Sequence, residues 1–344
     1  LCRQLTVLDR IGCPAAKEMH SKQSSRSEKP VSTGVRRGFD APTRQVCMHV
    51  RLPSSVVGQY ERFSRYNSPY PAHDAGRAID LYPGGEEAVS PVAGVVRETH
   101  TVGCPSRPYA ASTDHLIVVD LADEWCVAAG AATGTVARVL HVDPAVNAGD
   151  RLAVGDPLGR LTRSGFFGRW VENHLHLGFR PPEANALRAS GSLTVDVDID
   201  VAGVEWDGTG TVVEAGPTHA ILDGPDHPEP GDRFAALASD EGVPLDGGLC
   251  HYAGGGTFRA EAIPTEVSLW GTLVGTRTEQ GVEWESVDVV ADGTRVVGLS
   301  LFAGIDDLGV KIVCPGHDLA VGDHVTVETE PSANPIRLGH DHRV

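Results

Sequence analysis

The chain has 344 residues, enough for two domains with separate cores, and a formal net charge of −17. The charge is uneven, because residues 1–47 carry a balance of +5 whereas residues 48–344 carry −22 and contain a single lysine, Lys311. A surface this acidic argues against nucleic acids and anionic membranes as partners, and no apolar run approaches the ~18 residues of a membrane span.

Glycine, proline and cysteine usage indicates the class of fold. The chain contains 40 Gly and 23 Pro, and many short Val-rich runs lie between Gly, Asp and Pro residues, a pattern that predicts a mainly β protein. The seven cysteines show no regular spacing, so reduced thiols are the default expectation. The acidic excess, with Arg almost replacing Lys, fits a halophilic-type protein in a high-salt cytoplasm or an ordinary acidic protein encoded by a GC-rich genome.

The first 47 residues are basic, rich in Ser, Arg and Lys, and without hydrophobic periodicity. The composition changes at Met48, so we expect residues 1–47 to be translated upstream sequence, with a disordered basic tail as the alternative. They contain no apolar stretch of the kind found in a signal peptide, which favours a cytoplasmic location. Residues 48–65 are expected to be an approach segment to the first domain.

Two β domains are predicted. The first covers residues 66–182, with short antiparallel strands expected at 78–82, 94–101, 115–121, 135–141 and 175–179. Pro181 and Pro182 end it, because proline cannot continue a central strand, and residues 183–192 are expected to be a linker. The second covers 193–344, with an alternating strand at 195–201 and further strands at 209–214, 268–276, 295–301, 310–314 and 324–328.

A His-x-His sequence lies in the last predicted strand of the first domain. His174 and His176 are two residues apart, so their side chains should point to the same face of the sheet. Two neighbouring imidazoles suit a metal or proton-transfer site. The alternative is an ordinary pair of surface histidines.

Three further stretches precede this pair in the chain. His73 and Asp80 come first, and a run from Ala88 to Val96 (Ala-Val-Ser-Pro-Val-Ala-Gly-Val-Val) follows. Next is Leu-His-Val around His141, followed over residues 146–159 by a run with two Gly-Asp turns. With the terminal His-x-His, these elements resemble the lysostaphin/LytM-type zinc metallopeptidases, in the order that the family shows. The resemblance covers about a third of the chain.

The resemblance implies a fold, a metal site and an activity. It implies a duplicated-hybrid-motif-like antiparallel β domain over 66–182, with His73, Asp80 and His176 as ligands of a catalytic Zn²⁺. His141 and His174 would orient water, transfer protons and stabilise the oxyanion. The implied function is a metallo-endopeptidase that hydrolyses peptide bonds with a metal-activated water, acting on a peptide or peptidoglycan-like substrate. The alternative is a catalytically inactive module of the same fold that binds a polymer or a partner protein.

One spacing departs from the family pattern, which has three residues between the first His and the Asp. Six residues separate His73 from Asp80 here, so this segment must loop out, and Gly76 permits the tight turn. Asp74 is a candidate hydrogen-bond acceptor for a ligand histidine.

Other Cys and His residues are weaker candidates. A structural zinc site from Cys250-His251 and Cys314…His317 is possible in principle, although neither half has a Cys-x-x-Cys knuckle and ordinary core cysteines are favoured. His340 and His342 are taken as part of a polar tail. His100 and His115 are candidates to line the cleft or to be ordinary surface or core residues.

The charge balance leads to a prediction about salt. Mutual repulsion of the acidic groups should weaken the fold at low ionic strength, and added salt should screen that repulsion. The melting temperature is therefore expected to rise between low and molar KCl in a thermal unfolding series. A melting temperature that stays flat across the series would contradict the halophilic interpretation.

Overall fold

The computed structural model describes residues 49–258 and 264–339, which fall in one compact unit. The expectations for residues 1–47, for Met48, and for His340 and His342 lie outside the described residues. Within them the protein is mainly β, as the sequence predicts. None of their helices is long and apolar enough to cross a membrane.

Strands and short helices alternate through the first half of the described chain. The helices are α1 (Ser54–Val57), α2 (Pro71–Asp74) and α3 (Asp123–Ala128). The strands are β1 (His49–Pro53), β2 (Arg62–Ser64), β3 (Ile79–Tyr82), β4 (Glu87–Val89), β5 (Gly94–Gly103), β6 (Thr113–Leu121), β7 (Val136–Leu140), β8 (Val142–Pro144), β9 (Arg151–Leu152), β10 (Pro157–Leu161) and β11 (Leu175–Arg180).

The second half of the described chain contains strands alone. They are β12 (Thr194–Asp198), β13 (Val201–Val204), β14 (Thr209–Gly216), β15 (His219–Leu222), β16 (Phe234–Leu237), β17 (Leu245–Leu249), β18 (Gly254–Thr257), β19 (Glu266–Leu269), β20 (Thr272–Arg277), β21 (Val282–Trp284), β22 (Val287–Ala291), β23 (Thr294–Val296), β24 (Gly298–Leu301), β25 (Ala303–Gly304), β26 (Lys311–Val313) and β27 (His324–Pro331).

Three of the predicted strands are each divided in two. The run 268–276 is a hairpin of β19 and β20, with Trp270 and Gly271 at positive φ (53° and 76°) in the turn. The run 295–301 is broken between β23 and β24. The alternating run 195–201 is broken after Asp198, because β12 pairs with β1 whereas β13 pairs with β16, both in parallel.

Two large sheets contain most of these strands. The first has the order β13-β16-β25-β2-β3-β11-β7-β6-β5-β9, and the second has the order β19-β20-β21-β18-β17-β24-β26-β15-β14-β27-β22-β23. The first sheet therefore includes β13, β16 and β25, which come from the chain beyond residue 193. Its hydrophobic core likewise includes Phe234, Phe258 and Ala303 beside residues of the first half.

Strand β11 separates the core from a cleft. Leu175, Leu177 and Phe179 are fully buried in the hydrophobic core. Because side chains alternate along a strand, His176 and Gly178 face the opposite side. This second face of the sheet carries the candidate site.

Phe63 joins the two halves of the chain. Its side chain on β2 is fully buried, and its ring meets the rings of Phe234 and Phe258 edge-on, each at 5.1 Å between centroids. Both partners come from the second half. Edge-to-face pairs of this kind add to the free energy of burial itself.

Truncation of Phe63 should therefore destabilise the whole unit. Phe63→Ala is expected to lower the free energy of unfolding by about 3–5 kcal/mol, because it leaves a cavity where three rings meet. Val127→Ala is the control, since Val127 is 78% exposed and its loss should cost less than about 0.5 kcal/mol. Equal effects of the two changes in denaturant titrations would contradict this account.

Candidate metal centre and active site

His73, Asp80 and His176 converge on one point of the cleft. Asp80 on β3 and His176 on β11 are direct partners in the antiparallel register. The Nδ1 atom of His176 lies 2.9 Å from Asp80 Oδ1 and 3.1 Å from His73 Nε2, and His73 Nε2 lies 3.4 Å from Asp80 Oδ1. Among the described residues, these three form the set able to share a metal ion.

The segment around His73 shows how the longer spacing is accommodated. Residues Pro71–Asp74 form a single helical turn with proline in its first turn, and Gly76 follows at φ +59°. The Gly76 amide donates to the His73 carbonyl at 2.9 Å, and the Arg77 amide donates to the Ala72 carbonyl at 2.6 Å. The additional residues thus form a closed turn that directs His73 back to Asp80.

The orientation of the His73 ring is set by the backbone. Its Nδ1 donates to the Arg65 carbonyl at 2.7 Å. Because Nδ1 carries the proton in this hydrogen bond, the lone pair of the neutral ring lies on Nε2, which points into the cluster.

Burial and mutual charge determine the protonation states. Burial alone would raise the pKa of Asp80, but its interactions with the neighbouring His73, His174 and His176 hold it well below its usual range. Burial lowers the pKa of His176 to about 4. The pKa of His73 is raised from 6.5, because Asp80 and the Arg65 carbonyl outweigh its burial.

The three ligand atoms fit zinc in number, type and separation. Two atoms that bind zinc tetrahedrally at about 2.0–2.1 Å lie roughly 3.3 Å apart, and the three separations here run from 2.9 to 3.4 Å. Two imidazoles and one carboxylate are also a common catalytic ligand set. Three acceptor atoms that are buried together require a proton or a cation between them, because their lone pairs repel otherwise.

His141 lies beside this cluster, on a strained backbone. It follows β7 with φ +68°, a conformation that costs a non-glycine residue free energy. Its Nδ1 donates to Asp114 Oδ2 at 2.5 Å, and Ser164 Oγ donates to the same oxygen at 2.6 Å. Burial would raise the pKa of Asp114, but His141 and these hydrogen bonds lower it.

Asp114 is a functional candidate that the sequence did not reveal. It is fully buried at the start of β6, and its contacts with His141 and Ser164 span 27 and 50 residues. The sequence pointed to this region only through the neighbouring His115, which was a candidate to line the cleft. His115 contributes its backbone instead, because its carbonyl accepts from the His141 amide at 3.3 Å.

His174 is held by the segment before β11. Its Nδ1 donates to the Glu172 carbonyl at 2.9 Å, and its ring packs on Phe167 with centroids 4.3 Å apart. The Glu172 side chain binds Lys311 Nζ at 3.2 Å and also pairs with Arg62. Burial lowers the pKa of His174 to about 3, so its imidazole is neutral at neutral pH.

All five predicted site residues line one cavity of about 380 Å³. One wall is largely aromatic, with Tyr70, Phe166, Phe167 and Tyr252, and another consists of the small residues 189–192. The cavity thus offers an apolar surface with a few polar groups at its floor, as expected of a site for a small ligand or a peptide.

The weaker candidates do not gather into a second site. Cys250 Sγ donates to the Val287 carbonyl at 2.8 Å and Cys314 Sγ to the Ile312 carbonyl at 3.5 Å. In residues 49–258 and 264–339, Cys250, His251, Cys314 and His317 form no set of three possible metal ligands. The cysteines described are all free thiols. His100 pairs with Glu98 at 2.7 Å and lies outside the cavity.

Comparison with known proteins gives a family. A model of the DUF8155 N-terminal domain, a domain of unknown function, matches residues 51–197, and a model of the DUF8155 C-terminal domain matches residues 202–330. The chain belongs to the DUF8155 family. The boundary between the two DUF8155 domains falls where β12 ends and β13 begins.

Other comparisons add little to the DUF8155 match. The NMR solution structure of lysostaphin aligns with a TM-score of 0.23 and 14% identity, over 66% of this chain and 95% of that chain. A likeness at this TM-score carries no argument about fold or activity. No curated protein matches the DUF8155 chain.

The raised pKa of His73 leads to a prediction about zinc binding by this DUF8155 protein. A metal must displace the proton that His73 holds, so apparent zinc affinity should fall as pH drops through the His73 pKa, by about tenfold per pH unit. Titration with a competing chelator between pH 8 and pH 5.5 measures this slope. His73→Ala should lose most of the affinity, and full zinc binding by that variant would exclude His73 as a ligand.

Proposed function

We propose that the protein is a zinc-dependent peptidase that hydrolyses peptide bonds in the cleft above β3, β11 and β7. The observation that carries the proposal is the triangle of His73 Nε2, Asp80 Oδ1 and His176 Nδ1, with separations suited to tetrahedral zinc. Two further histidines, His141 and His174, share the same cavity. The order of these residues in the sequence, which resembles the lysostaphin/LytM-type peptidases, supports the same activity.

Zinc would be held by His73, Asp80 and His176. When bound, zinc lowers the pKa of a water ligand and polarises the scissile carbonyl. The protein contributes the orientation of its ligands, through the Arg65 carbonyl on His73 and the strand register that joins Asp80 to His176.

His174 fits the role of a general base. Burial keeps its imidazole neutral at neutral pH, and its hydrogen bond to the Glu172 carbonyl leaves the lone pair on Nε2. That atom lies 3.4 Å from Asp80 Oδ2, at the edge of the metal site. A water molecule bound there can transfer its proton to Nε2 as it attacks the carbonyl carbon.

His141 fits the role of the group that stabilises the oxyanion and donates a proton to the leaving amine. Asp114, which is negatively charged, accepts the hydrogen bond from Nδ1 and fixes the orientation of the His141 ring. Nε2 remains for the substrate. Phe166 and Phe167 pack near the ring, with centroids 6.1 and 4.6 Å away, and exclude water from it.

Substitution of the histidines should separate metal binding from turnover. His141→Ala and His174→Ala are expected to keep about one zinc per chain and to lose roughly 10²-fold or more in rate. The reason is that His141 and His174 transfer protons and stabilise the oxyanion but do not coordinate the ion. Asp80→Ala and His176→Ala should lose the zinc itself. Metal content by atomic emission and cleavage of acetylated peptide pools, including pentaglycine, measure the two properties.

The control is His100→Ala, which removes a histidine outside the cavity and should change neither property. Loss of zinc from His141→Ala or His174→Ala in a folded protein would show that the assigned roles are wrong. A wild-type protein that binds no zinc would exclude the peptidase and leave a module that binds a polymer or partner protein.

A further inference from the structure

The sheet face that carries the metal site continues past His176. On β11, Gly178 follows His176 on the same face of the sheet. A Cβ atom at Gly178 would be in ordinary van der Waals contact with the Arg77 carbonyl at 3.7 Å and with Ser192 Oγ at 3.8 Å. Arg77 and Ser192 also line the cavity, so this end of the cavity lies next to Gly178, about 7 Å along the strand from His176.

Arg138 lies at this end of the cavity. It is the register partner of Gly178 on β7, and its side chain lines the cavity together with that of Arg77, which is exposed at the rim. The Nε atom of Arg138 is buried without a hydrogen-bond partner. Within the described residues, neither Arg138 nor Arg77 pairs with a carboxylate.

A third arginine adds positive charge near Arg138. Arg180 is fully buried, and its guanidinium donates to the carbonyls of Arg188 and Ala189 at 2.9 and 3.1 Å and to Ser192 Oγ. These acceptors are neutral, so they leave the positive charge of Arg180 unbalanced, and its buried Nε has no hydrogen-bond partner among the described residues. Burial and the nearby Arg138 lower the pKa of Arg180 to about 10, consistent with uncompensated charge.

We propose that Arg138, with Arg77 at the rim, forms a subsite for a carboxylate of the peptide substrate at the end of the cavity next to Gly178. The inference rests on the proposed peptidase function and names the class of substrate. A guanidinium holds a carboxylate through two parallel charge-assisted hydrogen bonds. At about 7 Å from His176, the carboxylate belongs to the first or second residue beyond the scissile bond.

The surrounding charge makes this subsite selective. Residues 48–344 carry a balance of −22, so an anionic substrate is repelled by most of the surface and attracted at the arginines. The carboxylate is either the C-terminus of the substrate or the side chain of an acidic residue.

Matched peptide pools test the subsite. Acetylated peptides are prepared with a free or an amidated C-terminus, and each form is made with Asp and Glu or with Asn and Gln. Binding to zinc-loaded His174→Ala is measured by calorimetry, and cleavage by the wild type is measured by mass spectrometry. Pools with the preferred carboxylate should bind about tenfold tighter than their neutral counterparts.

Two variants connect this preference to Arg138. Arg138→Gln, combined with His174→Ala, should abolish the tenfold preference for the carboxylate. Arg138→Lys in the same background should retain only part of it, because lysine keeps the charge but lacks the planar guanidinium that makes two parallel hydrogen bonds. Arg160→Gln is the matched control: Arg160 is exposed and pairs with Glu86, so its loss removes the same charge away from the cleft and should leave the preference intact.

The two readouts distinguish the two proposals. Preference for the free C-terminus or for acidic side chains identifies the source of the carboxylate, and either result supports the subsite. Equal binding of all pools, or a preference that survives Arg138→Gln, overturns the subsite and leaves the peptidase intact. Absence of cleavage in every pool overturns the peptidase, and the binding data still decide the subsite.

Discussion

The candidate site depends on the register of β3 against β11. Asp80 and His176 are direct partners in that antiparallel pair, so their side chains point to the same face at the closest spacing a sheet allows. A slip by one residue would place Leu175 or Leu177 opposite Asp80 and turn the histidine into the core. The fully buried Leu175, Leu177 and Phe179 oppose such a slip, so the packing of the core maintains the geometry of the cleft.

Residues of the second half of the chain help to position the side chains of the candidate site. Asp246, fully buried on β17, accepts hydrogen bonds from Ser64 Oγ at 2.5 Å and from the Arg65 amide at 2.7 Å. The carbonyl of the same Arg65 orients His73.

Lys311 gives similar support from β26. It binds the Glu172 side chain, and the Glu172 carbonyl in turn orients His174. His73, a proposed metal ligand, and His174, a proposed base, are therefore each oriented through a residue of the second half, which gives that half a structural role in the candidate site.

Part of the site could be predicted from local signals in the sequence. The placement of His174 and His176 on one strand face requires only the two-residue period of a strand, and the turn after His73 requires the glycine at Gly76. His73, Asp80 and His141 were predicted from the resemblance to the LytM-type peptidases. Asp114 and Arg138 were missed, because a buried acid that faces a histidine 27 residues away, or an arginine opposite a glycine, is visible only when strands are paired. The hairpin at Trp270 was missed since tryptophan is not a usual residue at positive φ.

The placement of β25 affects when the protein can fold during synthesis. This strand, Ala303–Gly304, lies between β16 and β2, and Gly304 pairs with Arg62, more than two hundred residues earlier. The edge of the sheet at β2 thus stays unpaired until Gly304 has been synthesised. Such long-range closure is slow and exposes apolar surface meanwhile. The first sheet is therefore completed only after strands from both halves of the chain are available.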